Sequence, residues 1–310
     1  MEIRHRLLEF SWDPKYELLK KELDRIGASY EIKIMGYSST GVPRSHSIEF
    51  NINESDALYP VVEQLIEKYE FYVQINAHYD KADFDKAEWF YTGTGEYQYP
   101  QPEDDPIEYI KATYDTCNFC PTCGMGAIQN NPFRLKTEFK QKNSQFLGLH
   151  WVFDEIFVRN EAKAILEREC PDGIRFTHPV YHRTGEEMES VYQLRIETVV
   201  KEGLVTSGLE TVTCKPYNEE YKGLVRQVAE RLNLREEGPY CGRVKYHYPT
   251  RDTVKFRHKA LSQIPDIVKS DEDFGSGHSA DKLVLVSKRF RELIVKYKLR
   301  GLRFTPIELM

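Results

Sequence analysis

The chain has 310 residues, enough for two domains, and its 40 % hydrophobic and 30 % charged residues are ordinary for a globular protein. A formal net charge of -6 argues against a general nucleic-acid binder, which usually carries a basic surplus. No apolar run approaches the roughly 20 residues that span a bilayer. The charged, alternating residues Met1–Arg6 predict no signal peptide, so we expect a cytoplasmic, reducing location for the six cysteines.

Residues 1–78 alternate between strand and helix patterns. Period-two runs of apolar residues predict strands at 3–10, 30–35, 47–52 and 71–75, and helical stripes predict helices at 14–26 and 55–69. Asp13 and Pro14 form a helix-start signal, and Gly27 is a helix-stop signal. The resulting order, β-α-β-β-α-β, predicts an α+β fold that begins with a ferredoxin-like lobe.

Residues 79–110 are aromatic, acidic and interrupted by prolines, which predicts a linker or a hairpin. A plain linker is one interpretation. The other is an acidic-aromatic binding surface for a basic protein partner, because aromatic anchors beside carboxylates suit such a partner. The predicted surface consists of Trp89, Tyr91, Tyr97, Tyr99, Glu103, Asp104 and Asp105. The run at 107–116, which overlaps the end of this segment, predicts a strand that leads to the cysteines.

Residues 111–310 predict a second α+β domain that contains an internal repeat. Gly173-Ile-Arg-Phe-Thr177 aligns without a gap with Gly301-Leu-Arg-Phe-Thr305, and four of the five residues are identical. The surrounding patterns predict the same strand-helix-strand unit near 153–180 and near 281–308. Coincidence between two generic β-α-β pieces is the alternative.

The most informative stretch is Cys117-Asn-Phe-Cys120-Pro-Thr-Cys123-Gly124. A C-x-x-C-G turn is typical of a zinc knuckle, because the spacer lets both thiolates face one ion and the glycine allows a positive φ after the second ligand. A thioredoxin-like redox pair is disfavoured, since that motif opens a helix within a βαβ unit. Free cysteines without a metal remain the alternative.

A structural zinc site needs four ligands, so two more must come from elsewhere. The preferred set adds Cys214 and Cys241 to Cys120 and Cys123; the alternative takes Cys117 in place of Cys214. Cys241 precedes a glycine, as Cys123 does, although Gly238 stands where a second knuckle would have its first cysteine. Four cysteine ligands would close the zinc site and leave no position for a substrate, which predicts a structural role.

Other candidate motifs are weaker. His178 and His182 have H-x-x-x-H spacing, but Pro179 places them on a strand or loop and not on the helix that such a metal motif needs. No nucleophile elbow, phosphate-binding loop or zinc-protease motif is present, so we predict no catalytic residue. Basic residues in 243–259, interleaved with Tyr246, Tyr248 and Phe256, leave a zinc-ribbon nucleic-acid-binding module as the alternative function.

Three stretches of the chain resemble the double-CXXCG-motif proteins and related bacterial immunity proteins of polymorphic toxin systems. They are Cys120-Pro-Thr-Cys123-Gly124 with the later Cys241-Gly242, the run from Asp281 to Leu293, and Gly301-Leu-Arg-Phe-Thr-Pro306. The resemblance covers roughly residues 110–310. It implies a cytoplasmic, non-enzymatic binding protein that neutralises a cognate toxin, here by presenting its acidic, tyrosine-rich surface to a basic toxin domain.

Overall fold

The computed structural model describes residues 1–35, 45–95, 97–98, 106–215, 219–234 and 240–310. These ranges form a mixed α+β protein of two compact units. The first comprises Met1–Lys86 and Thr250–Thr253, and the second comprises Ala87–Pro249 and Val254–Met310. Across the described ranges, no helix has the length and apolar character needed to cross a membrane.

The first unit contains one four-stranded sheet. Its elements are β1 (Glu2–Phe10), α1 (Lys15–Arg25), β2 (Glu31–Ile34), β3 (His46–Asn53), α2 (Tyr59–Tyr69), β4 (Val73–His78) and α3 (Lys81–Lys86). The strand order is β2-β3-β1-β4, and every neighbouring pair is antiparallel. The first six elements follow one another in the order that the sequence predicts.

The core of the first unit lies between the sheet and the two longer helices. Leu19 and Leu23 of α1 and Val62 of α2 are fully buried, and they cluster with Leu7 of β1 and other buried residues. Leu19 and Leu23 are four residues apart, which places them on one face of α1, as an apolar stripe requires. The Asp13 carboxylate accepts a hydrogen bond from the Lys15 backbone N–H at 2.8 Å, which satisfies one free donor at the start of α1.

The second unit contains the remaining strands and helices. In chain order these are β5 (Trp89–Thr94), β6 (Tyr97–Gln98), α4 (Pro106–Thr113), β7 (Tyr114–Asp115), β8 (Ile128–Gln129), β9 (Arg134–Leu135), β10 (Phe146–Leu149), β11 (Val152–Arg159), α5 (Asn160–Glu169), β12 (Ile174–Thr177), β13 (Val180–Tyr181), β14 (Val191–Ile196), β15 (Val199–Val200), β16 (Thr211–Thr213), α6 (Glu219–Arg231), β17 (Val244–Tyr246), β18 (Lys255–Phe256), a 3₁₀ turn at His258–Leu261, β19 (Ile267–Phe274), β20 (Asp281–Ser287), α7 (Lys288–Lys296), β21 (Leu302–Pro306) and β22 (Glu308–Leu309).

Two larger sheets organise this unit. One has the order β12-β14-β11-β10-β6, and the other has the order β16-β17-β19-β20-β5-β21, with β15 pairing to β19. In the first sheet β14 is antiparallel to both β11 and β12. In the second sheet β5 is antiparallel to both β20 and β21. Each strand-helix-strand segment therefore has two parallel strands separated by one inserted strand.

Strand β5 corrects the interpretation of residues 79–110 as a linker or hairpin. It lies inside the larger sheet, hydrogen-bonded on one side to β20 and on the other to β21. Its aromatic and threonine side chains suit a pleated, buried surface, and Phe90 is fully buried. This part of the segment is a structural strand of the second unit.

Helix α4 corrects the strand predicted for residues 107–116. Only Tyr114 and Asp115 at its end form a short strand, which pairs with Ile128 and Gln129. Pro106 suits the first turn of a helix, where its missing N–H costs nothing. Tyr109 and Thr113 are buried four residues apart, so their side chains share the face that packs inward.

Candidate metal centre

Four cysteines from three chain segments meet in the second unit. Cys120 and Cys123 lie in the turn between β7 and β8, Cys214 directly follows β16, and Cys241 precedes β17. Because β16 and β17 pair antiparallel, the residues just beyond their paired ends come together. The Cys214 N–H donates to the carbonyl of Arg243 at 2.8 Å and extends that pairing.

The sulfur atoms of Cys120, Cys123, Cys214 and Cys241 all lie within 4.8 Å of one another. Cys120 Sγ is 3.7 Å from Cys214 Sγ, and Cys123 Sγ is 3.6 Å from Cys241 Sγ. Sulfur atoms bound tetrahedrally at about 2.3 Å from one zinc ion are about 3.8 Å apart. All six cysteines are free thiols, so these separations are not disulfides. The four thiols therefore form a group that could hold a metal ion.

The turn that carries Cys120 and Cys123 is fixed by its backbone. The Gly124 N–H donates to the Cys120 carbonyl at 2.9 Å, and the Cys120 N–H donates to the Met125 carbonyl at 2.8 Å. Gly124 has a φ of 80°, and a Cβ added there would overlap the carbonyl oxygen of His278. Glycine is required at this position both for the left-handed backbone and for the close approach of the neighbouring loop.

A buried lysine joins that turn to the loop between β19 and β20. The Lys245 side chain is fully buried, and its ammonium donates to the carbonyls of Cys123 at 2.9 Å, Gly277 at 2.7 Å and Ser279 at 2.6 Å. The three acceptors use all three protons of the ammonium group, which is how a buried charge is tolerated. Burial lowers the pKa of Lys245.

Arg243 supplies a second cation at the rim of the cysteine group. Its Nε lies 3.0 Å from Cys241 Sγ, and its Nη2 donates to the carbonyls of Asn118 at 2.8 Å and Met125 at 3.0 Å. The backbone N–H of Cys241 also points at Cys214 Sγ, at 3.4 Å. Donors around the sulfur atoms stabilise thiolate, the form that binds a metal.

The thiols are electrostatically coupled. A hydrogen bond with the Cys123 thiol, together with the backbone N–H groups of Cys123 and Thr122, lowers the pKa of Cys120 to about 4. The same hydrogen bond and burial raise the pKa of Cys123, and burial raises that of Cys214. The negative charge of one thiolate thus disfavours ionisation of the next thiol. A bound cation offsets this repulsion and lets several thiols ionise together.

The remaining sulfur and imidazole groups lie elsewhere. Cys117, the alternative ligand, is exposed and does not belong to the cluster of four. Cys170 is buried, its thiol donates to Asp266 at 3.5 Å, and burial raises its pKa to about 12. His178 bonds to the Met188 carbonyl at 2.8 Å. In the described part of the chain, neither His178 nor His182 belongs to a group that could hold a metal.

The residues predicted to bind a protein partner separate into three groups. Trp89 is only 8 % exposed and belongs to a core cluster, so it is not a surface anchor. Tyr91 and Tyr97 are half-buried, and the Tyr97 ring packs on Phe153 with centroids 5.4 Å apart. The other four predicted contact residues lie outside the described residues: Tyr99, Glu103, Asp104 and Asp105.

The basic cluster of residues 243–259 is largely engaged within the fold. Arg243 and Lys245 bind backbone carbonyls, as described above. Phe256 is fully buried, and Tyr246 packs on Phe274 with centroids 5.9 Å apart. Tyr248 is 41 % exposed and also packs on Phe274. These side chains do not form an exposed row of stacking platforms such as single-stranded nucleic acid requires.

Sequence reasoning did not find the lysine and the histidine that attach the cysteine turn to the β19–β20 loop. Lys245 lies in an alternating strand pattern in which lysine usually faces solvent, and nothing in the sequence marks it as buried. The Nδ1–H of His278 donates to the Pro121 carbonyl at 2.9 Å, across 157 residues of chain. Compared with known proteins, the chain matches no family model and no curated protein.

Proposed function

We propose that the four-cysteine group binds one structural zinc ion. The donor set supports this assignment, because four thiolates at tetrahedral spacing favour zinc over the hard cations that prefer oxygen ligands. With every ligand supplied by cysteine, the ion would have no open position for a substrate. Its role would be to join the turn at Cys120 to the paired ends of β16 and β17.

We further propose that the chain is a cytoplasmic bacterial immunity protein that neutralises a toxin by direct binding. The observation that carries this proposal is the cysteine group itself, since three of its four members come from the two Cys-Gly segments that resemble the double-CXXCG-motif and immunity proteins. The net charge of -6 adds support, because an acidic protein is attracted to a basic toxin domain.

Two experiments test the proposal at separate levels. Metal analysis of the purified chain tests the zinc site, and we expect about one zinc per chain. A chain that keeps its free energy of unfolding when it holds no metal would reject the site. For the function, the tagged chain is used to isolate its partner from the native bacterium, and the partner is then expressed alone and together with the chain. We expect arrested growth alone and restored growth together. Failure to isolate a partner, or arrest that persists in both cultures, would reject the immunity role.

We also propose that the first unit belongs to the ferredoxin-like type. Its strand order, β2-β3-β1-β4, supports this, as does the position of β3 between the parallel strands β1 and β2.

We propose that the two strand-helix-strand segments of the second unit arose by duplication. Contacts between aligned residues support this: Lys282 N–H lies 3.5 Å from Oδ2 of Asp154, its aligned position, and the Tyr297 hydroxyl donates to Glu169, also its aligned position, at 2.6 Å. Contacts between counterpart residues are what a local two-fold relation between two copies would give.

A further inference from the structure

A cavity of about 850 Å³ lies within the second unit, beside the cysteine turn. Its walls come from α4, the turn before β11, the starts of β11 and β20, and the loop at 278–280. Its volume falls within the range of small-molecule sites, roughly 300–1,000 Å³. Phe153 and Asp281, aligned positions of the two strand-helix-strand segments, both line it. The cavity therefore lies at the junction of the two segments.

One wall of the cavity is aromatic and rigid. The rings of Tyr109 and Trp151 are nearly parallel, with an angle of 11° between their planes and centroids 6.1 Å apart. The Tyr109 hydroxyl donates to the Trp151 carbonyl at 2.6 Å. Trp151 lies in the two-residue turn between β10 and β11 and has a left-handed φ of 65°, a conformation that costs a non-glycine residue energy. The turn thus places the indole of Trp151 against the cavity, beside the phenol ring of Tyr109 on α4.

The charged side chains that line the cavity include one more acid than base. Five are carboxylates (Asp154, Glu155, Asp271, Asp273 and Asp281) and four are cations (Arg195, Arg243, Lys269 and Lys282). The Lys269 ammonium lies 3.1 Å from Asp154 Oδ2 and 2.7 Å from Glu155 Oε1, so one cation serves two carboxylates. Lys282 Nζ lies 3.8 Å from Asp273 Oδ1 and is committed to that partner. These ion pairs do not include the carboxylate of Asp281, which also lines the cavity.

Asp281 is the carboxylate that lacks a cation. It is 9 % exposed, and its Oδ2 accepts a hydrogen bond from the Ser279 hydroxyl at 2.9 Å. Within the described part of the chain no ion pair reaches it. Burial and the charge of Asp154 together raise its pKa to about 7, while its hydrogen bonds and the charge of Lys269 act in the opposite direction. A positive group placed beside Asp281 would restore the compensation that a buried carboxylate needs.

We propose that this cavity binds a small organic cation, whose ammonium or guanidinium group pairs with Asp281 and Asp154 and whose apolar body lies along Tyr109 and Trp151. Carboxylates give such a cation its charge partner, and an aromatic face attracts it further. A metal ion fits less well, because the cysteine group is the only set of described side chains that converges as metal ligands would. The inference is independent of the toxin partner and goes beyond the immunity role.

Isothermal titration calorimetry of the purified 310-residue chain tests this inference with a matched pair of probes. Tryptamine carries an ammonium group on an indole body, and tryptophol carries a neutral hydroxyl on the same body. We expect tryptamine to bind about tenfold more tightly than tryptophol, the effect of one desolvated charge contact. Equal affinity for the two probes, or no binding of tryptamine, would overturn the proposal.

Two variants locate the contact. Asp281→Asn keeps the shape of the side chain, and it should reduce tryptamine affinity about tenfold while leaving tryptophol unaffected. Glu197→Gln is the control, because Glu197 is an exposed carboxylate outside the cavity, paired with Arg175 at 3.0 Å. It should leave both affinities unchanged. Retention of tryptamine affinity in folded Asp281→Asn, checked by circular dichroism, would refute the assignment. If that variant does not fold, the probe comparison on the wild-type chain still decides.

Discussion

If the four cysteines hold the proposed zinc ion, replacing Cys120 with serine should remove it together with much of the stability of the second unit. Cys120 and Cys214 are 94 residues apart, and Cys123 and Cys241 are 118 residues apart. Holding loops of that length closed in an unfolded chain is worth about 4–5 kcal/mol when the link is covalent. A domain is stable by only about 5–15 kcal/mol. We therefore expect Cys120→Ser to lower the free energy of unfolding by about 4 kcal/mol.

Cys117→Ser is the matched control for this change. Cys117 lies in the same segment, but it is exposed and outside the cluster of four, so its replacement should alter stability by less than about 0.5 kcal/mol. Urea unfolding followed by tryptophan fluorescence reports on the correct unit, because Trp89 and Trp151 lie in it and Trp12, in the other unit, is already 66 % exposed. Metal content is measured on the same samples. Equal zinc content and equal midpoints for the two variants would refute the reasoning.

Three further predictions concern positions near the cysteine group and the cavity. Gly124→Ala should destabilise the chain by about 3 kcal/mol, against about 1 kcal/mol for Gly185→Ala, where φ is also positive but nothing lies within 4 Å of the added carbon; similar urea midpoints would contradict this. Lys269→Met should cost about 3–5 kcal/mol in chemical unfolding because it leaves two partly buried carboxylates without a cation, whereas the exposed Arg175→Met should cost at most about 1 kcal/mol. Because the pKa of Asp281 is raised to about 7, the folded chain keeps a proton that the unfolded chain releases, so the unfolding free energy should fall as pH rises from about 4 to about 7. Asp281→Asn should flatten that slope, and an unchanged pH profile in the variant would argue against the assignment.

The cysteine group is the part of the site that the sequence predicts best. The ligand Cys120 has a local signature in its C-x-x-C-G spacing, and Cys241 has one in the glycine that follows it. Cys214 has no such signature, but its position at a predicted strand end made it a candidate, and the pairing of β16 with β17 explains why it reaches the others. The cysteine motifs in the sequence and the pairing of β16 with β17 therefore point to the same group of residues.

The cavity could not be predicted because its walls are assembled from distant segments. Tyr109 and Asp281 are ordinary residues in the sequence, and their proximity depends on how the sheets are arranged. The same holds for β5: its aromatic residues are visible in the sequence, but the prolines and acids that follow it favour a linker until its partners β20 and β21 are known. Helix α4 was missed because a short apolar run fits a strand and a helix equally well.

The insertion of β5 between β20 and β21 has a consequence for folding during synthesis. About 190 residues separate β5 from β20, which at 5–20 residues per second corresponds to about 10–40 s of translation. Throughout that time Trp89 and Phe90 belong to a strand with neither of its partners, and unpaired apolar strands attract other chains. We expect nascent chains arrested before β20 to bind ribosome-associated chaperones through this strand, and expect completed chains to release them.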